Sequence, residues 1–477
     1  MEPRQSSQAL ATSLEQVREL LEKHRLVEHL IHTQESPRQE LVESLTHRQN
    51  LAELRNRINR LHFADVAFIL DNLPPGDREV VWEQLAPRRR ADVLVEVADP
   101  TREQLVHAMP REDLLAVLKR LDADDLTYLA ADVPQDVLQE CLESLSAEQR
   151  SWLQASISYD DDVVGHYMSN VMVTVRDTDT LAAVAVQLRQ AGEIPSHTDK
   201  LFVLDRRGVF KGVLPLQTLL LREPGHLVRE VMAADVVTFG VEDDAEAAAQ
   251  AFERYDLVSA PVLSERGKLV GRLTVDVMMD YLRESNTEDM LRLAGLSAEE
   301  DLFTTIWRSA RNRWLWLFVN LGTAFVASRV IGLFETSIAQ LVALAALMPI
   351  VASLGGNTGN QTTALVVRAL SLGQLDRGNI FYMVRKELGI SLLNGVMFGL
   401  VVGVFAFAIY GNIGLGLVIA GAMLLTLVIA ATVGLAVPIT LERLGRDPAL
   451  GSSVLITATT DILGFFIFLG LATVLLL

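Results

Sequence analysis

The sequence predicts a multi-domain chain in which a helical domain and a repeated α/β module precede a transmembrane domain of five helices. One reason is the division of charge. Residues 307–477 hold ten basic and six acidic side chains, a net charge of +4, whereas the first 306 residues hold 32 basic and 54 acidic ones, a net charge of −22. The other two reasons for this prediction are a run of long apolar segments after residue 306 and a repeat of about sixty residues before it. An acidic half is therefore joined to an apolar half.

The acidic half limits the class of protein. A net charge of −22 repels phosphates, so we expect no nucleic-acid partner. The single cysteine, Cys141, excludes an intrachain disulfide framework and is typical of a reducing compartment. The first residues, MEPRQSSQALATSLEQ, lack the apolar core of a signal peptide, so we expect the acidic half to stay in the cytosol.

Five segments of the apolar half are long enough to cross a bilayer, which takes about 20 apolar residues. They are 313–334, 337–367, 387–410, 413–440 and 450–477. The basic residues that flank them fall on one side: Arg308, Arg311, Arg313, Arg368, Arg377, Arg385, Lys386, Arg443 and Arg446. The opposite side keeps only Arg329, so the positive-inside rule predicts a multi-pass protein of the cytoplasmic (inner) membrane with a cytosolic N-terminus and an external C-terminus.

The second of these segments contains the unusual stretch LGGNTGNQTT, residues 354–363. It places glycines at 355, 356 and 359 beside the amides Asn357, Asn360 and Gln361. Glycines let backbone leave helical geometry, and unwound backbone at membrane depth survives only where it lines a wet cavity or is buried in protein. We therefore predict unwound backbone that lines an aqueous path. The alternative is close helix packing through small residues.

Asp461 is the only charged residue between Pro448 and Leu477, about halfway along the fifth segment. A carboxylate inside a span is costly and usually faces a partner or an aqueous path. Thr457 lies four residues earlier, on the same helix face. One alternative is a protonated Asp461 that is hydrogen-bonded to threonines; otherwise its partner is a cation from solution.

The oxygen ligands available in the spans suit hard ions rather than zinc or copper. Magnesium loses its water reluctantly and is often held through that water by few carboxylates. One carboxylate per chain with amides around it matches this behaviour, and a two-fold dimer would supply two. Calcium and manganese remain open on the chemistry alone.

Two segments, PIVASLGGNTGNQTTALVVRAL (349–370) and DPALGSSVLITATTDILGFFIFLGLA (447–472), resemble the signature segments of the MgtE family of magnesium channels. The resemblance covers the whole chain and implies a homodimer with five spans per chain in the lipid bilayer. It implies that Asp461 is the pore aspartate that holds a hydrated Mg²⁺ ion. It further places four residues at or beside the ion path: Gly356, Asn357, Asn360 and Thr457. The run ARNRWLWLF departs from the family, since a proline usually precedes its tryptophan.

The repeat lies within residues 168–283. MSNVMVTVRDTDTLAAVAVQLRQ (168–190) parallels MAADVVTFGVEDDAEAAAQAFER (232–254), and LFVLDRRGVFKGVLPLQTLL parallels APVLSERGKLVGRLTVDVMM. Each copy is predicted to form a strand, a helix, two strands around a glycine turn and a closing helix. The pair resembles tandem CBS modules. Such pairs often bind adenine nucleotides such as ATP, which stays open here.

The helical domain is predicted from short units that begin with a Pro or Asp turn, for example LPPGDREVVWEQL and VPQDVLQECLESL. A small helical superhelix is expected. The predicted divisions are a polar extension (1–35), this helical domain (36–158), the two CBS modules (159–225 and 226–284), a connecting helix (285–306) that acts as a plug in the family, and the transmembrane domain (307–477).

The acidity of the first half predicts regulation by divalent ions. Acidic faces that lie close together repel each other, and a cation bound between them favours the compact arrangement. The resemblance implies that compaction closes the channel. The candidate regulatory ligands are Asp124, Asp125, Glu242, Asp243, Asp244, Asp276, Asp280, Glu284, Glu288 and Asp289. Three acids that are common in the family are replaced here by Val277, Arg283 and Ser285, so weaker magnesium sensing is expected.

Three functions follow from these features. The leading hypothesis is a magnesium channel that imports Mg²⁺ and is closed by cytosolic Mg²⁺. A coupled carrier for divalent cations would use the same residues, and a membrane-anchored CBS sensor of nucleotides would use the spans only as an anchor. We expect no enzyme, because the sequence holds no catalytic triad, Walker loop or His/Cys cluster with metal-ligand spacing.

Overall fold

The computed structural model describes residues 7–33, 49–297, 302–371, 374–375, 377–449 and 451–477. The chain divides into two compact units, Met1–Leu282 and Arg283–Leu477. The first unit contains the helical domain and the α/β modules, and the second contains the apolar helices.

The helical domain is built from short helices. They are α1 (Ser7–Thr33), α2 (49–58), α3 (Phe63–Asp71), α4 (Pro75–Gln84), α5 (Pro87–Glu96), α6 (Asp99–Ala108), α7 (Arg111–Leu118), α8 (Ala123–Leu129), α9 (Gln135–Ser144) and α10 (Ala147–Ile157). Pro75 and Pro87 open α4 and α5, because proline fixes φ and its missing N–H has no partner in a first turn. The predicted units of short helices are confirmed.

The N-terminal residues differ from the predicted polar extension. Helix α1 contributes Val17 and Leu21 to the same apolar core as Leu54, Ile58 and later helices. Because Val17 and Leu21 are 0 % and 1 % exposed, α1 is part of the helical domain.

Each α/β module has one parallel and one antiparallel strand pair. The first comprises β1 (Thr174–Arg176), α12 (Leu181–Ala191), β2 (Lys200–Leu204), β3 (Phe210–Pro215) and α13 (Leu216–Leu221). The second comprises β4 (Phe239–Gly240), α15 (Ala245–Tyr255), β5 (Ser259–Leu263), β6 (Leu269–Thr274) and α16 (Val275–Leu293). The central strands β2 and β5 pair with both neighbours, and each has a register shift near its end. The predicted repeat is confirmed, including positive-φ glycines at 208 and 267 in the two turns.

The two modules exchange their entry helices. Helix α11 (Val164–Tyr167) packs Val164 into the core of the second module, where its N–H donates to Asp243 O over 2.8 Å. Helix α14 (Val228–Val231) packs Val228 into the core of the first. The divisions predicted at 159 and 226 therefore do not separate the two cores.

Besides the end of α16, the described residues of the second unit form six helices: α17 (Ile306–Gly332), α18 (Glu335–Gln340), α19 (Ala343–Ser371), α20 (Arg377–Tyr410), α21 (Ile413–Arg443) and α22 (Ser452–Leu476). Four of these, α17, α20, α21 and α22, are long and apolar enough to cross a membrane. Helix α19 is long enough, but its amides and glycines make it less apolar. The segment predicted as 337–367 is divided, since α18 ends at Gln340 and α19 begins at Ala343.

The predicted connecting helix is the end of a longer one. Helix α16 runs from the second module to Leu293, and the next helix, α17, begins at Ile306. Residues 298–301 lie outside the described residues.

Candidate functional site

Helix α19 lies in close contact with α21 and α22 at three glycines. A Cβ atom on Gly355 would lie 2.8 Å from Thr426 Cγ2, and one on Gly434 would lie 2.6 Å from the carbonyl oxygen of Gly359. A Cβ atom on Gly359 would overlap Ile456 Cγ2. Side chains at these positions would force the helices apart, so the glycines allow this packing.

The backbone of the LGGNTGNQTT stretch is helical. Helix α19 continues without interruption through 354–363, so the prediction of unwound backbone is wrong, and the packing alternative explains Gly355 and Gly359. A glycine costs about 1 kcal/mol in a helix interior, but the close contacts with α21 and α22 compensate for that cost. The polar groups that this segment can offer to an ion are therefore its side chains.

One backbone carbonyl at this contact has no partner in its own helix. Pro438 lies inside α21 and has no N–H to donate to the carbonyl oxygen of Gly434, four residues earlier. Thr363 Oγ1 of α19 donates to that oxygen over 3.1 Å. The interruption of the ladder in α21 thus joins α21 to α19 through a buried hydrogen bond.

Asp461 lies on α22 immediately after Thr460, which faces α19. A Cβ atom on Gly356 would lie 3.8 Å from Thr460 Oγ1. The Asp461 side chain is half-buried, and within the described part of the chain its carboxylate has no hydrogen bond or ion pair. The hydroxyls of Thr457 and Thr460 donate instead to the backbone carbonyls of Ser453 and Thr457, over 2.9 and 3.0 Å. The structure therefore does not support the alternative in which Asp461 is protonated and hydrogen-bonded to these threonines.

The three amides of the segment differ in exposure. Asn357 and Gln361 are exposed, and their spacing of four places them on one face of α19. Asn360 is half-buried, and its Oδ1 atom is buried without a hydrogen-bond partner among the described residues. Thr426 Oγ1 of α21 is likewise buried without a hydrogen-bond partner among the described residues. Buried oxygens without donors are costly unless an ion or water satisfies them.

The donor set on α19 and α22 suits a hydrated hard cation. Asp461 supplies a carboxylate, Asn357 and Asn360 supply amide oxygens, and Thr457 supplies a hydroxyl, all oxygen donors. Gly356 adds no donor but leaves room for Thr460. No group of three His, Cys, Asp or Glu side chains able to hold a metal occurs within the described residues. A single carboxylate with amide and hydroxyl oxygens is the kind of donor set that suits an ion which keeps much of its water.

A second carboxylate in the apolar half escaped the sequence analysis. Glu387 of α20 is only 7 % exposed, and its Oε2 accepts a 3.2 Å hydrogen bond from Thr362 Oγ1, two residues after Asn360 on α19. Its position next to Arg385 and Lys386 is typical of a solvated helix end, so its burial could not be read from the sequence.

Acids of the second module that were predicted as regulatory ligands have protein partners. Asp243 Oδ2 accepts from the N–H of Gly240 over 2.7 Å, and Asp244 caps α15 by accepting from Ala247 N over 2.7 Å. Asp276 Oδ2 lies 3.2 Å from His197 Nδ1. Glu242 is exposed. Among the described residues, these acids do not form a group of three that could hold a metal ion.

The remaining candidates divide between α8 and the connecting end of α16. Asp125, Asp280 and Glu284 each have an interaction partner, and the side chain of Asp124 lies outside the described residues. Glu288 Oε2 lies 2.8 Å from Arg292 Nη2, and Asp289 Oδ2 accepts from Ser371 Oγ over 3.2 Å. Burial raises the pKa of Asp289 above its ordinary value. Glu288 and Asp289 thus have partners within the second unit, Arg283–Leu477.

The long apolar helices and the half-buried carboxylate are features of a membrane transport protein, and the family models specify its class. Residues 348–471 match the model described as a divalent cation transporter. Residues 61–162 match the MgtE intracellular N domain, and residues 228–284 match the CBS domain. The fold and site thus define a divalent cation transporter with a CBS pair.

Comparison with curated proteins narrows this class to one family. The magnesium transporter MgtE of Thermus thermophilus is 31% identical over 437 residues, which cover 89% of this chain and 95% of that protein. MgtE of Bacillus subtilis is 28% identical over 445 residues, covering 91% and 99%. The chain belongs to the MgtE family of magnesium transporters.

One solved structure covers half of the chain. It is the cytosolic domain of the Mg²⁺ channel MgtE in complex with ATP, which matches 50% of this chain and 98% of that one, with 28% identity and a TM-score of 0.45.

Proposed function

We propose that this protein is a homodimeric magnesium channel that imports Mg²⁺ across the cytoplasmic membrane, with Asp461 as the residue that holds the ion. One observation carries the proposal: the Asp461 carboxylate lies half-buried in an apolar helix and has no protein partner within the described residues. A charged group in a span without a counter-charge usually serves an ion path. A passing cation supplies the missing charge.

Two amides of α19 favour a hydrated ion. Asn360 offers a buried amide oxygen without a donor, and Asn357 offers an exposed one. Oxygens of this kind accept hydrogen bonds from the water shell that Mg²⁺ retains. Each chain supplies one Asp461, so a two-fold axis near the path would place two carboxylates around the ion.

The orientation is supported by the basic residues at the ends of the spans. Arg308 and Arg311 lie at the start of α17, whereas Arg443 lies at the end of α21 and Arg446 follows it. With α19 as a fifth span, these ends share one side of the membrane. The positive-inside rule then places the acidic half in the cytosol and the C-terminus outside.

We further propose that Mg²⁺ bound to the acidic half closes the channel. The net charge of −22 in the first 306 residues supports this part, since a divalent cation reduces repulsion within a compact state. We also propose the CBS pair as the candidate site for an adenine nucleotide such as ATP. Val277, Arg283 and Ser285 still lead us to expect weak magnesium sensing.

The test is magnesium uptake in cells that lack their own uptake systems. We expect Asp461→Ala to abolish uptake and Asp461→Asn to reduce it at least tenfold, a loss of about 1.4 kcal/mol in binding the passing ion. Glu335→Gln is the matched control, because Glu335 is an exposed acid of the same unit. Its uptake should equal that of the wild type.

The outcomes separate the three hypotheses. Wild-type uptake by both Asp461 variants would refute the ion path and favour the membrane-anchored sensor. Loss of uptake together with single-channel currents in the wild type supports the channel. Loss of uptake with fluxes limited to carrier turnover rates supports the coupled carrier.

A further inference from the structure

The connecting end of α16 is tied to the segment that leads into α22. Arg292 Nη1 lies 2.7 Å from Asp447 Oδ2, while its Nη2 lies 2.8 Å from Glu288 Oε2. Asp447 Oδ1 also accepts from Ala449 N over 2.7 Å. One carboxylate therefore both shapes the turn before α22 and pairs with the connector.

Trp316 of α17 provides a second link between the same two segments. Its ring lies against Gly295, just after α16, where a Cβ atom would be 3.8 Å from the indole Cγ. It also lies against Gly451, the N-cap of α22, where a Cβ atom would overlap the six-membered ring. Both glycines have positive φ, +72° and +66°, which other residues adopt rarely. The turns at Gly295 and Gly451 therefore both pack against the indole ring of Trp316.

A third link reaches α19. Ser371, the last residue of α19, donates to Asp289 Oδ2 over 3.2 Å. A single stretch of the connector, residues 288–295, is therefore in contact with the ends of both helices that carry the proposed ion path. Asp461 lies ten residues beyond Gly451 on the same helix, about 15 Å along its axis.

We propose that Arg292 and Trp316 are positioning residues that join the connector to α22 and thereby set the position of Asp461. This inference rests on the proposed function. The ion pair and the indole contact fix the first turn of α22 to the connector, and a helix transmits a shift of its first turn to residues farther along. A displacement of the connector therefore moves the pore carboxylate.

The test is a double-mutant cycle on the ion pair in the full-length protein. Arg292→Gln removes the charge of the guanidinium, and Asp447→Asn keeps an amide oxygen for Ala449 N while it removes the carboxylate. We expect each variant to shift the Mg²⁺ concentration that half-closes the channel by about two- to fivefold, the range for a partly exposed ion pair. The double variant should show the same shift as either single one. Arg446→Gln is the matched control, because it removes an exposed positive charge next to Asp447.

A second measurement does not depend on transport. Hydrogen exchange of the backbone amides at 451–456 in the full-length protein should become about two- to fivefold faster in Arg292→Gln and in Trp316→Phe, and should stay unchanged in Arg446→Gln. Unchanged hydrogen exchange in Arg292→Gln, or additive shifts of the half-closing Mg²⁺ concentration in the cycle, would overturn the proposal that these residues join the connector to α22. Failure of the proposed function is a separate result, since it is read from uptake by the Asp461 variants.

Discussion

At the scale of single residues, glycine acts in this transmembrane unit mainly through close approach. Gly359 has helical backbone, so its value lies in the space that a Cβ atom would take from Ile456 and from the carbonyl of Ala430. Gly421 and Gly389 have no atom within 4 Å of such a Cβ. The same residue type is therefore essential at one position of the unit and replaceable at others.

Gly359→Ala should destabilise the unit by about 1–3 kcal/mol, because the added methyl group overlaps Ile456 and the helices are backed by packed neighbours. Thermal unfolding of the purified protein in detergent measures the change. Gly421→Ala is the control and should leave the midpoint unchanged or raise it slightly, since alanine favours helix. Ile456→Ala should cost less in the Gly359→Ala background than in the wild type, because it also removes the overlap. Equal midpoints for Gly359→Ala and Gly421→Ala would contradict the packing role.

Residue types alone did not separate these roles of glycine. Sequence reasoning found the LGGNTGNQTT stretch and Asp461, because polar residues in an apolar run stand out. It interpreted the glycines as breaks in the helix, since glycine lowers helix propensity everywhere, whereas the contacts that reverse this effect come from α21 and α22. Arg292 and Asp447 are 155 residues apart, so no local pattern indicates their pairing.

At the scale of elements, α21 bonds to α19 through the interruption that Pro438 causes. The free carbonyl of Gly434 accepts from Thr363, and the glycine also lets the carbonyl of Gly359 come close. Two helices are thus held in register by a hydrogen bond and by a contact that each need the same short stretch of α21.

Replacing Pro438 should make Thr363 less important. In the otherwise wild-type chain, Thr363→Val leaves the buried Gly434 carbonyl without a donor and should cost about 1–2 kcal/mol of unfolding free energy. In Pro438→Ala, the new N–H of residue 438 bonds that carbonyl, so the same threonine substitution should cost less than half as much. Thermal unfolding of the four proteins gives the coupling. Identical costs in the two backgrounds would show that the proline does not create the bond.

The repeated modules show how far periodicity carries the prediction of elements. The succession of strands and helices along the chain, the glycine turns at 208 and 267 and the closing helices all follow from local patterns in the sequence. The exchange of α11 and α14 between modules does not, because Val164 and Val228 are short apolar positions that either core could bury. Which core each enters is decided by contacts distant in sequence.

At the scale of the whole molecule, the chain joins a body with a net charge of −22 to a unit with a net charge of +4 after residue 306. Self-repulsion of the acidic body opposes its compact form, and this penalty falls when cations bind. Asp243, Asp244 and Asp276 have partners within the chain, at Gly240, Ala247 and His197.

Magnesium should therefore protect the acidic half of the full-length protein from proteolysis beyond any effect of ionic strength. At a concentration ten times the dissociation constant, the rate of cleavage within residues 1–282 should fall about tenfold, and it should keep falling as the concentration rises further. Potassium chloride of equal ionic strength is the control salt, and Asp461→Asn, which lies in the other unit, should be protected like the wild type. Equal protection by magnesium and by potassium chloride would contradict specific binding, because it would show that ionic strength alone screens the repulsion.

The contacts of Asp447 with Arg292 and of Gly451 with Trp316 also have a consequence for biosynthesis. The ribosome makes the connector long before it makes the turn that receives Arg292 and the indole of Trp316. Until residues 447–451 have been made, a nascent chain holds the acidic body and the contacts of the connector with Ser371 and Trp316, but not the ion pair of Arg292 with Asp447. A product that ends before residue 447 would therefore keep Glu288 as the ion-pair partner of Arg292 but would lack Asp447, the partner that leads into α22.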